Sequence, residues 1–384
     1  MSVSRSIRWG ILGTSFISEV MADAIKKSTH GQLVAIGSTT KAEAFSQQFS
    51  ENYRDEQGRP ITIKCFNSYQ ALLNDPEIDA VYIGLPNHAH KDWILNATRA
   101  GKHIICEKPL LIKPQPEVIS EIEKANVFCM EALMYRSHPL TTKLKELILK
   151  DKVVGEIKII RAIYTWDIVN LAHKIEGGSI RNLGCYPISL VRLLAGAEPT
   201  QIEVNGRMNP TNNGVDNQAN IVFEFENGAT ALISTADDIN EFYQFEIHGT
   251  KGVLKVLTNP WLPSENNNKI SICLNNAEPS EINVTADKPL YTYQFEVANA
   301  CIQSGNFAQH DEMSLADSLQ NVTVSEKCLE KLKLQKQPGF FATSDGANTI
   351  PASRTIEQIK FWGEAEMASL RQTKKEVEAP TNSF

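Results

Sequence analysis

Short apolar runs alternate with amphipathic stretches along the first third of the chain. Ile7 to Leu12 is a compact apolar run that stops at Gly13, and residues 16–27 then repeat their apolar positions at helical spacing. The rhythm continues with apolar runs at 33–38, 61–66, 80–85, 103–106 and 127–130. Helical patterns at 41–50, 68–73, 88–100 and 114–124 separate them, with Ser68 placed as an N-cap and Gly101 as a C-cap. Nearly continuous apolar strands joined by helices predict a doubly wound parallel sheet covered on both faces.

The pattern changes near residue 135. A helix at 140–150, a strand at 156–165 and a helix at 186–194 come first. Strands at 202–208, 220–226, 229–235, 242–248, 252–256 and 270–274 then follow one another, with turn signals at Asn227-Gly228 and Gly249-Thr250-Lys251-Gly252. Helices at 290–303 and 315–334 close the pattern, and residues 376–384 form a polar tail. The fold class is therefore α/β: a parallel doubly wound domain over 1–135, then an α+β domain over 136–375 with an open, mainly antiparallel sheet. The alternating Ile221, Phe223, Phe225, Leu232, Phe245 and Ile247 suit either the open face of that sheet or the side under its own helices.

The 384 residues carry 38 Lys and Arg against 45 Asp and Glu, a net charge of −7. That balance argues against nucleic acid as the main partner. No apolar stretch is long enough to cross a membrane, and residues 1–8 do not read as a signal peptide. Seven scattered cysteines with no CxxC pair read as free thiols of a reducing compartment, so the expected location is the cytoplasm.

Five segments bear on chemistry. Gly10-Ile-Leu-Gly13-Thr14-Ser15-Phe16-Ile17-Ser18 sits at a strand-to-helix junction, where a dinucleotide fold needs a tight turn and free helix amides for a pyrophosphate. Serines stand at the second and third fingerprint positions, and a bare strand-turn-helix is the competing reading. The second strand ends in Ser38-Thr39-Thr40-Lys41 with no carboxylate for a ribose hydroxyl, which favours NADP and leaves NAD as the alternative. Leu85-Pro86-Asn87-His88-Ala89-His90 reads as a helix-start loop beside the cofactor or as a solvent-exposed stretch. Its HxH pair has no partner cluster, so no metal is expected. Ala100-Gly-Lys-His-Ile-Ile-Cys-Glu107-Lys108-Pro109 ends the fifth strand, where α/β sheets bind ligands. Lys108 there reads equally as a reactive group or a surface lysine. Gly177-Gly178-Ser-Ile-Arg-Asn182-Leu-Gly184-Cys185-Tyr186-Pro187 opens a helix of the second domain. By spacing alone, Tyr186 suits a packing role at a domain interface.

Together these segments resemble the Gfo/Idh/MocA family of nicotinamide-dependent oxidoreductases over residues 7–334. Met130-Glu-Ala-Leu-Met-Tyr-Arg-Ser-His-Pro139 and Gly184-Cys-Tyr-Pro187 are similar to the branch that contains dimeric dihydrodiol dehydrogenases and NADP-dependent D-xylose dehydrogenases. The resemblance implies hydride transfer between a nicotinamide and a hydroxyl or ketone of a sugar or cyclic polyol. It makes Tyr186 the acid/base, with the Lys108 ammonium lowering its pKa. It places Asn182 near the substrate, where the family usually has Asp, and implies cofactor contacts at 13–17, Ser38, Thr39, Lys41, 85–87, His90, Glu107 and Lys108. Arg136, His138, Trp166 and His173 are candidate pocket residues that suit structural roles better. Assembly as a homodimer or homotetramer through the open sheet face is also implied. A nucleotide-sugar ketoreductase and a catalytically inactive NADP-binding regulator are the alternative functions.

Overall fold

The computed structural model describes residues 5–39, 42–52, 59–60, 62–168, 177–209, 215–275, 277–307 and 312–335, which lie in one compact unit, Met1–Gln337. The polar tail at 376–384 lies outside the described residues. The first sheet is six-stranded: β1 (Ile7–Leu12), β2 (Gly31–Gly37), β3 (Lys64–Phe66), β4 (Ala80–Ile83), β5 (His103–Cys106) and β6 (Cys129–Glu131). Its order is β3-β2-β1-β4-β5-β6, and every pairing is parallel. The crossovers are α1 (Phe16–Lys27), α2 (Ala42–Asn52), α3 (Tyr69–Leu73), α4 (His90–Arg99) and α5 (Pro116–Ala125). All four side chains of β4 are buried, as a central strand covered on both faces requires. The strand order reverses between β1 and β4, the place where such sheets open a crevice.

After α6 (Pro139–Lys145) comes an eight-stranded sheet: β7 (Ile157–Thr165), β8 (Gln201–Met208), β9 (Asp216–Glu224), β10 (Thr230–Ala236), β11 (Phe242–Gly249), β12 (Gly252–Val256), β13 (Asn268–Leu274) and β14 (Ser280–Val284). The order is β14-β13-β12-β11-β7-β10-β9-β8. One pairing departs from the antiparallel expectation: β7 and β10 run parallel at the centre. Among the described residues, the second half is completed by the helices α7 (Cys185–Ala195), α8 (Thr292–Ser304) and α9 (Leu315–Leu334).

The alternating residues divide between the two faces of this sheet. Ile221, Phe223, Phe225, Phe245 and Ile247 are buried, on the side covered by the helices, whereas Leu232 is 41 % exposed on the opposite face. Ile159, Phe242 and Leu257 are exposed as well. The C-terminal helices also close the first sheet. Trp9 of β1 packs edge-on against Phe295 of α8 with ring centroids 5.0 Å apart, and its indole N–H donates to Asn299 Oδ1 at 2.9 Å. No helix among the described residues is long and apolar enough to cross a membrane.

Candidate functional site

The chain leaves β1 through Gly13, at φ +105°. Its N–H donates to Gly37 O at 2.9 Å, while Gly84 N–H donates to Leu12 O at 3.0 Å. A Cβ at position 13 would stand 2.6 Å from Gly84 O, so only glycine lets the turn pass this close to the end of β4. Thr14 and Ser15 complete the turn and α1 begins at Phe16. Ser15 N–H donates to the Ser18 hydroxyl at 3.2 Å, which occupies one of the free amides at the helix start. Ser15 and Phe16 are exposed, with Thr14 and Ile17 half-buried. A turn opened by Gly13 and running into a helix N-terminus at the sheet's reversal point fits the pyrophosphate of a dinucleotide.

Beyond β2, Ser38 is buried and its hydroxyl lies 3.0 Å from that of Thr14, so it joins the two turns. Thr39 is exposed beside it, and Lys41 lies outside the described residues. Leu85 and Asn87 are half-buried and Pro86 is exposed at the carboxyl end of β4. His90 differs from its expected role as a cofactor contact. It is wholly buried, with Nδ1 2.8 Å from Pro109 O and Nε2 2.8 Å from Leu85 O. Both ring nitrogens are taken by backbone, so the side chain ties the loop after β4 to the loop after β5.

That second loop carries the reactive candidates. Glu107 accepts from the Tyr82 hydroxyl at 2.6 Å and from Lys108 N–H at 3.2 Å. Burial raises its carboxyl, and the neighbouring Lys108 charge opposes the rise. A cis peptide joins Lys108 to Pro109. Lys108 Nζ donates to the Asn182 carbonyl at 2.9 Å and lies 5.5 Å from the centroid of the Tyr186 ring. The structure therefore brings Lys108, a loop residue of the first half, against Asn182 and Tyr186 of the second, across 74 residues or more of sequence. Asn182 is in a π-helical turn, Ile180–Gly184, that leads directly into α7. Gly178, at φ +103°, precedes it, where a Cβ would meet Asp216 Oδ1 at 2.3 Å. Asp216 Oδ2 holds the turn through Ser179 Oγ at 2.6 Å and Ile180 N–H at 2.8 Å.

The expected lowering of the Tyr186 pKa is corrected. Burial raises the phenol well above its ordinary value, with Tyr164, Tyr291, Cys185 and Glu107 adding to the rise. Its hydroxyl donates to Met134 Sδ at 3.9 Å, a weak partner, and the ammonium stands over the ring rather than at the oxygen. Sequence reasoning missed the aromatic wall around it. Tyr135 stacks on the Tyr186 ring at 5.8 Å, Tyr164 meets it edge-on at 5.4 Å, and Trp261 packs against both walls. Alternate positions along β7, with Tyr164 facing inward, were the available signal.

The other candidates separate by their partners. Arg136 is buried in an ion pair with Asp317 at 2.7 Å, and His138 caps α6 by accepting from Leu140 N–H at 3.1 Å. Trp166 lies beside Tyr164 at 6.4 Å. His173 is outside the described residues. Among the described residues, no three His, Cys, Asp or Glu side chains are grouped to hold a metal ion. Cys185, beside Tyr186, is a buried thiol pushed up to about 12 by burial.

Comparison with known proteins identifies the family. A family model described as an oxidoreductase family with an NAD-binding Rossmann fold matches residues 7–132, and a GFO/IDH/MocA C-terminal domain model matches residues 141–255. D-xylose 1-dehydrogenase (NADP(+)) 2 of Haloferax volcanii is 34 % identical over 257 residues, covering 64 % of this chain and 74 % of the relative. Trans-1,2-dihydrobenzene-1,2-diol dehydrogenase of Xenopus tropicalis is 28 % identical, covering 85 % and 98 %. In overall fold the chain is similar to an aldose-aldose oxidoreductase from Caulobacter crescentus. That match has a TM-score of 0.74 at 22 % identity, over 86 % of this chain and 98 % of the other. The two family models, which match in succession over the parallel sheet and the start of the second sheet, and the H. volcanii relative together show that the chain belongs to the Gfo/Idh/MocA family and is an NAD(P)-dependent oxidoreductase.

Proposed function

We propose that the protein transfers a hydride between NADP(H) and a secondary hydroxyl or ketone of a sugar or related cyclic polyol, with Tyr186 as acid/base and Lys108 as its electrostatic partner. The observation that carries the reading is the meeting of Lys108 with Asn182 O at 2.9 Å and with the Tyr186 ring at 5.5 Å, at the carboxyl edge of the first sheet. NADP is favoured over NAD because β2 leads into Ser38 and Thr39 without a carboxylate. The H. volcanii relative carries NADP in its name, and a 3-ketoreductase from Actinomadura kijaniata of similar fold is described in complex with NADP.

The nicotinamide, when bound, supplies or accepts the hydride. Everything else falls to side chains. A buried phenol with a raised pKa rests protonated, which suits it to donate a proton to an alkoxide oxygen in the reduction direction. Its hydroxyl is held by a thioether, so turning toward a substrate oxygen forfeits little. Donation leaves a phenolate close to the Lys108 ammonium, and that charge offsets the cost of the buried anion. Asn182 supplies an uncharged amide where the family's usual Asp would ionise, which suits it to orienting hydroxyls.

Ile159, Leu232, Phe242 and Leu257 make the outer face of the second sheet the surface on which two copies pair in our reading. The test of the function is turnover by Tyr186→Phe and Lys108→Met with pentoses, hexoses, inositols, dihydrodiols and their keto forms. NADPH binding is followed separately by fluorescence. Tyr186→Phe is expected to bind NADPH normally and to lose at least about 100-fold in kcat. Wild-type turnover retained by Tyr186→Phe would sink the assignment, and tighter binding of NADH than NADPH would overturn the cofactor choice.

A further inference from the structure

Two segments distant in sequence face each other behind the reacting side chains: the loop after β5, residues 107–112, and the π-helical turn Ile180–Gly184. Each sends a cation to the other's backbone. Lys108 Nζ donates to the Asn182 carbonyl at 2.9 Å, and Arg181 Nη2 donates to the Ile112 carbonyl at 3.3 Å. The two bonds run in opposite directions and engage adjacent residues of the turn. Arg181 is 8 % exposed, and the same Nη2 meets Glu326 Oε2 of α9 at 2.7 Å. Asn321 Nδ2 of α9 donates to the Cys185 carbonyl at 3.2 Å, so this helix holds the turn at both ends. A small cavity remains between loop, turn and helix, lined by Pro109, Leu111, Ile112, Arg181, Cys185 and Asn321. Close packing does not back the loop there, which leaves its spacing from the turn to the polar bonds.

A lysine ammonium is a point charge on a flexible stem, and one bond to a carbonyl does not fix where it rests. Its position follows the distance between the two backbones. The Arg181 guanidinium is rigid at its end and is pinned from behind by the Glu326 carboxylate, so it sets that distance from the opposite side. We propose that Arg181 is a positioning residue: anchored on Glu326, it fastens the loop to the turn through Ile112 and so keeps the Lys108 ammonium on Asn182 O, beside the Tyr186 ring. This role rests on Lys108 belonging to the reacting site. The ion pair and the Ile112 bond then serve different ends. The ion pair neutralises a buried cation and stabilises the fold, whereas the Ile112 bond aligns Lys108.

The test measures kcat, NADPH affinity and urea midpoint for Arg181→Met, Glu326→Gln, Lys108→Met and the pair Arg181→Met with Lys108→Met. Ammonium 1H–15N spectra of 15N-lysine-labelled protein are recorded without substrate, and the Lys108 signal is identified by its loss in Lys108→Met. Arg181→Met is expected to lose about 10-fold or more in kcat with NADPH affinity within about 3-fold, because it misplaces the reacting lysine and leaves the glycine turn alone. Glu326→Gln keeps an acceptor for Nη2 and loses the counter-charge, so it is expected to lower the urea midpoint with kcat within about 3-fold. In the Lys108→Met background, Arg181→Met should cost less than about 2-fold further, as a residue acting through Lys108 must. A merely structural role would lower kcat by the same factor in either background. The Lys108 signal is expected in wild type and lost in Arg181→Met. Losses that multiply across the two backgrounds, or a Lys108 signal that Arg181→Met leaves unchanged, would overturn the proposal. If Lys108→Met turns over like wild type, the functional reading fails while the ammonium spectra still decide whether Arg181 holds Lys108. If Arg181→Met does not fold, Arg181→Lys carries the same measurements: its shorter side chain keeps the charge beside Glu326 and draws the donor back from Ile112 O, and a Lys108 signal identical to wild type then refutes the role.

Discussion

Replacing Gly13 by alanine puts one methyl group where the structure has least room for it. The new Cβ would stand 2.6 Å from Gly84 O and 3.2 Å from Leu85 Cδ2. The carbonyl cannot swing aside freely, because Gly84 N–H is tied to Leu12 O and Gly13 N–H to Gly37 O. At φ +105° an L-residue is also strained by about 1–2 kcal/mol whatever the space. Relieving the contact requires stretching at least one of those two backbone bonds, each worth about 1 kcal/mol net. The expected total is about 2–4 kcal/mol, read as a lower urea midpoint with an unchanged slope. Gly101→Ala is the control. It also has positive φ, +67°, but nothing lies within 4 Å of its Cβ, so it carries only the backbone part. The difference between the two variants isolates the approach of the turn to β4. NADPH affinity should fall at least about 10-fold in Gly13→Ala and stay unchanged in Gly101→Ala, since the cradle for the pyrophosphate is filled only in the first. Equal stabilities for the two variants would refute the steric argument, and unchanged NADPH affinity in Gly13→Ala would remove the turn from the cofactor site.

Three further perturbations follow from buried polar groups. Asp317 joins Arg136 at 2.7 Å and Arg192 at 3.0 Å, so Asp317→Asn should cost about 3 kcal/mol in urea unfolding at pH 7 by leaving two buried guanidinium groups short of charge. Those two arginines hold its carboxyl below the usual range despite burial. The stabilisation is therefore present above pH about 4 and disappears as pH falls through the lowered value, where wild type and variant converge. Trp9→Phe removes the donor to Asn299 Oδ1 and should lower stability by about 1–3 kcal/mol, measured by calorimetry, with NADPH affinity preserved. Asp237 has the opposite sign to Asp317. Burial and the charges of Asp216 and Asp238 push it up to about 8, so the folded state prefers its proton and loses stability as pH rises toward 8. Asp237→Asn should match wild type at pH 4 and exceed it in urea midpoint at pH 9; a constant difference across that range would count against the assignment.

Much of the first sheet was legible because its strands carry their own signature. His103–Cys106 and Gly13 sit where punctuation by Gly and Pro leaves no other reading. The second sheet was legible as a set of strands but not as a set of pairings. A strand's local pattern says which face is buried and nothing about its neighbour's direction, so the parallel β7–β10 pair was invisible. β14 was missed because Ser280–Val284 is an edge strand with mostly exposed, polar residues. The motifs located Lys108, Asn182 and Tyr186, but their geometry depends on a π-helical turn that spacing does not encode. His90 carries the same lesson. A histidine in a cofactor-side loop reads as a contact until its two nitrogens are seen on two backbone carbonyls.

The bond from Trp9 to Asn299 closes a span of 290 residues, and it is made by the first strand of the chain with a late helix. This places a limit on order of assembly. The nucleotide-binding sheet is translated before α8, and one face of β1 has no partner for its indole until α8 has been synthesised and docked. The sheet therefore emerges from the ribosome still open on one side, and the step that completes it has the long loop closure typical of slow, non-local folding. Early termination anywhere before Phe295 should leave a chain that binds chaperones and not cofactor.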